Sequence, residues 1–248
     1  MKLLRSLFRF AAFFISTIGL YSIWWLGRLV VPNKEYWRET VFTLWAKSFV
    51  AVSNMKIEIV GQPPKPPFFL VSNHLSYVDV GALRAVVRGV FVAKREIEDW
   101  PLAGRLVRDM GNIFIDRQNR RDIPRAGELI TERLKMGQGV IVFPEGTSTK
   151  GEEILPFNSS FLQFAAETDL PVSYVAISYL TPDGEMPASD AVCWWDDTTF
   201  LAHLLRLFSV REYTAVLNFG DEPVRVNDRK RLARELRQKV AERFVPVL

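Results

Sequence analysis

Apolar and polar positions along the chain fall into three regimes. The first is Phe10 to Gly27, eighteen residues without a charge, bracketed by Arg9 and Arg28. As a helix this run is about 27 Å long, close to the roughly 30 Å hydrocarbon core of a bilayer. Tyr21, Trp24 and Trp25 near its end suit an interfacial belt, and the two arginines have the reach to snorkel. The basic start, Lys2, Arg5 and Arg9, also fits a signal peptide. No small-x-small cleavage pattern follows in Gly27 to Pro32, so a retained segment is expected.

The second regime is amphipathic. Over Glu35 to Ser53, Trp37, Val41, Leu44, Trp45 and Phe49 recur on one side of a helix, with Lys34, Arg38 and Lys47 as polar elements. Such a helix can lie in the membrane interface beside the first. Residues 1–53 are thus expected to form a membrane-associated helix pair, and residues 54–248 a separate domain.

The third regime alternates short apolar runs with helical patterns. Strands are expected at Met55 to Val60, Phe68 to Ser72, Val90 to Ala93, Ile113 to Asp116, Val140 to Phe143, Val172 to Tyr179 and Tyr213 to Phe219. Between them, Asp122 and Pro124 open a helix with Ala126, Leu129, Ile130 and Leu134 as its stripe, and Gly137 closes it. A last helix begins at Asp228 and aligns Leu232, Leu236, Val240 and Phe244. This order predicts an α/β fold, a largely parallel sheet covered by helices.

Composition adds limits. The 48% apolar content and mean hydropathy of +0.05 are high, with the excess at the N-terminus. Net charge +4 and pI near 9.2 suit an anionic lipid surface; they suit nucleic acid equally, but the apolar N-terminal run argues against that partner. One cysteine, Cys193, precludes an intrachain disulfide, and with two histidines it argues against a zinc site.

The candidate chemistry follows the second strand. His74 lies at a strand-to-helix junction, five residues ahead of Asp79. A neutral imidazole can take a proton near pH 7, and a carboxylate can fix its tautomer and stabilise the cation that forms. The other histidine, His203, sits in a leucine-rich helical stretch. Ser76-x-x-Asp79 also reads as a capping box, which would make Asp79 a structural residue; the residues alone leave both readings open. In open α/β sheets, ligands gather at the carboxyl ends of strands. His74, Asp116-Arg117 and Glu145-Gly146 each directly follow an expected strand, so they converge on one edge of the sheet.

Asn73-His74-x-Ser76-x-x-Asp79 resembles the first signature block of the glycerolipid acyltransferases of the bacterial 1-acylglycerol-3-phosphate acyltransferase type. Gly111 to Arg117, Phe143 to Thr147 and Leu170 to Ile177 are similar to the second, third and fourth blocks, in order. The resemblance implies that residues 54–248 form an acyltransferase domain in which His74 is the general base and Asp79 its orienting partner. It further implies acceptor contacts from Arg117, Glu145, Gly146, Thr147 and Lys94, with no cofactor or metal. The donor would be acyl-CoA or acyl carrier protein and the acceptor a lysolipid, by default lysophosphatidic acid. The protein would sit on the inner membrane with its site facing the cytoplasm. Two positions depart from the phosphate-accepting pattern: Glu145-Gly146-Thr147 continues Ser148 in place of arginine, and Asn158 follows Phe157 where lysine is common. A Glu-Gly-Thr-Ser/Thr run also occurs in members that acylate lyso-ornithine lipids.

Overall fold

The computed structural model describes residues 1–116 and 122–247. Seven strands form one sheet in the order β1-β7-β6-β2-β5-β3-β4. They are β1 (Met55–Val60), β2 (Phe69–Ser72), β3 (Gly89–Lys94), β4 (Ile113–Ile115), β5 (Gly139–Val142), β6 (Val172–Leu180) and β7 (Tyr213–Phe219). Every neighbouring pair is parallel except β6 and β7. The largely parallel α/β sheet expected from the sequence is therefore present, each strand starting and ending within a residue or so of the expected run.

The central strands are buried on both faces, which is why they read as unbroken apolar runs. Phe69 and Val71 point into one layer and Leu70 into the other; Val140 and Val142 oppose Ile141 in the same way. One layer is covered by α5 (Asp122–Lys135), α6 (Gln163–Glu167) and α9 (Arg229–Ala241). Asp228 caps α9 by accepting from the Arg231 N–H, and Leu232, Leu236 and Val240 are buried as their spacing predicts.

The opposite layer holds the N-terminal helices, α1 (Lys2–Val30) and α2 (Lys34–Ser53), with α3 (Val78–Val86) and α8 (Phe200–Ser209). Among the described residues, the remaining α-helices are α4 (Ala103–Asp109) and α7 (Ala188–Ala191). Helix α1 is long and apolar enough to cross a membrane and exposes Leu3, Leu4, Leu7, Phe8, Ile15 and Ile18. Its Phe13 nevertheless packs on Phe49 and Phe208.

Several N-terminal side chains differ from their sequence reading. Arg9 does not snorkel: with Arg5 it donates to the carbonyls that end α8, at 2.6 Å to Val210 O, because four carbonyls of a helix terminus lack intrahelical partners. Trp24 is buried between Tyr21 and Phe42 instead of lying in an interfacial belt. In α2 the buried positions are Arg38, Val41, Phe42, Ala46, Phe49 and Ser53, and Leu44 is exposed. The stripe is turned toward α3 because α2 packs on the sheet domain.

Candidate active site

The site begins where β2 stops. Strand pairing puts Val71 opposite Val142, so His74 and Glu145, each three residues further on, emerge side by side at the carboxyl edge. Asn73 extends the sheet with its side chain, its amide donating to Ile177 O at 2.9 Å while its Oδ1 accepts from Ile177 N at 2.8 Å. A side chain that imitates a backbone pair fixes where the chain leaves the strand, and His74 follows at once.

His74 Nδ1 lies 2.7 Å from Asp79 Oδ2. The same oxygen accepts the Leu75 N–H at 2.7 Å and the Ser76 N–H at 3.1 Å, and Oδ1 accepts the Tyr179 hydroxyl at 2.7 Å. A fully buried carboxylate with these four donors around it is held as an acceptor. It keeps the His74 proton on Nδ1 and leaves the Nε2 lone pair available. The imidazole also stacks on Phe143, centroids 4.2 Å apart at 14°. Both sequence readings of Asp79 contain something true, since its carboxylate braces the Ser76 amide as a capping box requires. The serine half is missing: Ser76 Oγ is buried without a partner among the described residues, and Tyr77 takes the cap position.

His203 is no rival. Its Nε2 lies 3.0 Å from the Cys193 carbonyl, which only accepts, so Nε2 carries the proton and Nδ1 accepts from the Tyr77 hydroxyl at 3.0 Å. Burial pushes its pKa down to about 4, which keeps it neutral.

Both oxygens of Glu145 are engaged, Oε1 by the His74 N–H at 2.8 Å and Oε2 by the Leu155 N–H at 3.0 Å. Gly146 turns at φ +80°, a conformation open to glycine at little cost. Thr149 N–H then donates to His74 O at 3.0 Å. The 145–149 loop thereby grips both backbone groups of His74. Thr147 is exposed beside it, and Ser148 Oγ donates to Trp194 O at 2.5 Å. Lys94 ends β3, half-buried on the same edge; Arg117 lies outside the described residues. Among the described residues no cluster of histidine, cysteine and acidic side chains could hold a metal ion.

A family model described as Acyltransferase matches residues 52–178. A lyso-ornithine lipid O-acyltransferase from Rhodobacter capsulatus is 31% identical over 77% of this chain and 70% of its own length. The chain belongs to the acyltransferase family. A second lyso-ornithine lipid O-acyltransferase, from Pseudomonas aeruginosa, is 30% identical over 97% of this chain and 93% of its own length. A 1-acyl-sn-glycerol-3-phosphate acyltransferase from Neisseria gonorrhoeae is 31% identical over 70% of this chain and 68% of its own. The crystal structure of the 1-acyl-sn-glycerophosphate acyltransferase PlsC from Thermotoga maritima shares the fold, with a TM-score of 0.69 over 98% of this chain and 97% of that one at 22% identity.

Three features around the His74–Asp79 pair were not singled out from the sequence: Asn73's strand-extending role, Phe143 under the imidazole, and Tyr179. A signal existed for Tyr179, because a tyrosine in a buried apolar strand must find a partner for its hydroxyl. Burial holds its phenol well above the ordinary value, so it stays a donor to Asp79.

Desolvation raises Glu145 from the ordinary 4.5 to about 7, against the pull of the His74 and Leu155 amides and of Arg237. The native state therefore holds this proton more tightly than the unfolded chain does. The corresponding stabilisation is complete below about pH 4.5 and is lost as pH rises through about 7. Thermal melts should show Glu145→Gln with a flatter pH dependence than wild type across that window. Parallel slopes would mean that the carboxyl is as well solvated folded as unfolded.

Proposed function

We propose that this chain is a membrane-bound O-acyltransferase that moves a fatty acyl group from acyl-CoA or acyl carrier protein to a lysolipid hydroxyl. The observation that supports it most is the His74–Asp79 pair at 2.7 Å on the sheet's carboxyl edge. In this reading His74 Nε2 removes the acceptor hydroxyl proton as the oxygen attacks the thioester carbon. The carbon–sulfur bond then breaks, and the imidazolium returns its proton to the leaving thiolate, giving ester and thiol. No enzyme nucleophile is required. Cys193 is unsuited to that role, since it is buried and burial pushes its thiol up. Backbone amides of the Gly146 turn or of the start of α3 would serve the tetrahedral oxyanion. Helix α1 would hold the protein on the inner membrane, with the site toward the cytoplasm where both donors occur.

Lysophosphatidic acid is one acceptor, with Arg117 and Lys94 to meet its phosphate and Glu145, Gly146 and Thr147 around it. A specific observation favours lyso-ornithine lipid. Ser148 replaces the arginine common in phosphate-accepting members and spends its hydroxyl on Trp194 O, while Asn158 Oδ1 accepts the Ser160 N–H. Neither position offers a charge to a dianionic head group. Thiol release from acyl-CoA, with lysophosphatidic acid and lyso-ornithine lipid offered in parallel, tests this. Release with the ornithine acceptor at ten or more times the rate is expected. Faster turnover of lysophosphatidic acid would mean that the remaining cations suffice, and silence with both acceptors from acyl-CoA and from acyl carrier protein alike would overturn the acyltransfer reading.

A further inference from the structure

Between β3 and α4 the chain makes a turn with an unusual outer surface. Trp100 is 41% exposed and Leu102 is 90% exposed. Leu102 has φ +60° and ψ −47°, and the Ala103 N–H donates to Pro101 O at 2.6 Å. This is a γ-turn of the strained, positive-φ kind, and here it carries a leucine. The strain presents an apolar side chain to the outside when any relaxed turn would suit a polar one. The turn is also held firmly: a Cβ on Gly104 would meet the Glu98 carbonyl oxygen at 2.1 Å, and Arg108 bridges to Glu98 at 2.9 Å.

This turn stands beside the His74 loop. Trp100 packs on Trp194 and on Phe200, both with centroids 6.4 Å away. Tyr77 packs on the same two rings at 5.5 and 4.9 Å, and the Trp194 N–H donates to Leu75 O at 2.8 Å. Trp195 and Leu201, each next in sequence to a ring of this wall, are 48% and 52% exposed. Leu201 is on α8, which leads back to α1, where Ser6 Oγ donates to Leu205 O at 2.6 Å. The exposed apolar side chains of α1 and those beside the site are thus joined by one helix.

The geometry points to Trp100, Leu102, Trp195 and Leu201 as a lip that seats in the bilayer surface at the mouth of the site, so that a lysolipid reaches His74 without leaving the membrane. This rests on reading the chain as a membrane-bound lysolipid acyltransferase. A bilayer is the favoured occupant because the acceptor resides there and because the lip continues, through α8, to the long apolar helix. Tryptophan and leucine at a rim are also what an interface of one apolar and one wet side selects.

The test is depth-resolved quenching on the full chain in vesicles. Cys193 is buried, so a fluorophore placed through Leu102→Cys labels that position alone. Met136→Cys, on the opposite layer after α5, is the control. Brominated lipid is expected to quench the label at 102 strongly and the label at 136 weakly. Leu102→Asp, at a position that packs on little, should lower kcat/KM for lysolipid in vesicles about tenfold, as withdrawing one leucine from an apolar phase implies, and spare a water-soluble short-chain lysolipid. Vesicle-bound protein whose label at 102 stays in water overturns the lip and leaves the membrane-bound reading intact. A label shielded from aqueous quencher yet untouched by brominated lipid overturns it in favour of a protein contact. Protein that stays in the supernatant overturns both. Equal loss with both acceptors would make Leu102 a packing residue and also overturn it.

Discussion

Asp79→Asn is expected to lower kcat for thiol release about 100-fold while leaving thermal stability and KM nearly unchanged, and His74→Ala to lower it about 1,000-fold. The asparagine is informative because it separates two roles that the sequence leaves entangled. Its carboxamide oxygen can occupy the Oδ2 position and still accept from His74, Leu75 and Ser76. Its NH2 group then faces the Tyr179 hydroxyl, which can turn to accept. The braces from His74, Leu75 and Ser76 survive, while the negative charge beside the forming imidazolium and the donation from Tyr179 are gone. A purely capping Asp79 would show no kinetic loss, and that result would sink the orienting role. Activity that survives His74→Ala would sink the base itself. Tyr179→Phe should be milder, about tenfold in kcat, the scale of one hydrogen bond to a charged group.

The architecture was legible in the sequence wherever both faces of an element are buried. β2 and β5 are nearly continuous apolar runs because helices cover both sides, β6 is one broken only by Ser173 and Ser178, and the pattern alone lines up their carboxyl ends. What was hidden depends on long-range pairing. The antiparallel contact of β6 and β7 follows from how the chain returns after α8, and no local pattern encodes it. The same holds within the site. His74 and Asp79 are five residues apart and share a motif, whereas the groups that hold them, Tyr179 and the Glu145 clamp on the His74 amide, arrive from other strands. In α2 the obvious stripe was misaimed, since it placed Leu44 inside and missed Phe42 and Ala46. A helix so rich in apolar residues has more than one plausible buried side, and contact with α3 decides between them.

That contact sets up the second large effect. Glu39→Leu is expected to destabilise the whole chain by about 3 kcal/mol in denaturant titrations in detergent. Arg84 on α3 is 2% exposed and meets Glu39 on α2 at 3.0 Å, with the Gly89 carbonyl as its further acceptor. Burial alone disfavours the charged guanidinium, and Glu39 offsets that cost. Removing the carboxylate leaves the buried Arg84 cation without its counter-ion. Glu39→Gln, which keeps an acceptor for Arg84, should lose less. The double variant Glu39→Leu/Arg84→Met should recover most of the stability, because exchanging a buried pair for apolar groups of similar volume is far cheaper than breaking it. One neighbouring link acts in the same sense: Gln138, just before β5, donates to Glu35 at 2.7 Å, and Arg38 within α2 holds that carboxylate at 2.5 Å. If one buried pair between α2 and α3 governs global unfolding, then residues 1–53 fold with the sheet as one cooperative unit. A single transition that shifts as a whole is the expected trace. Loss of an early, separate transition, with the main one unmoved, would instead make the helix pair an appendage that docks on a finished domain.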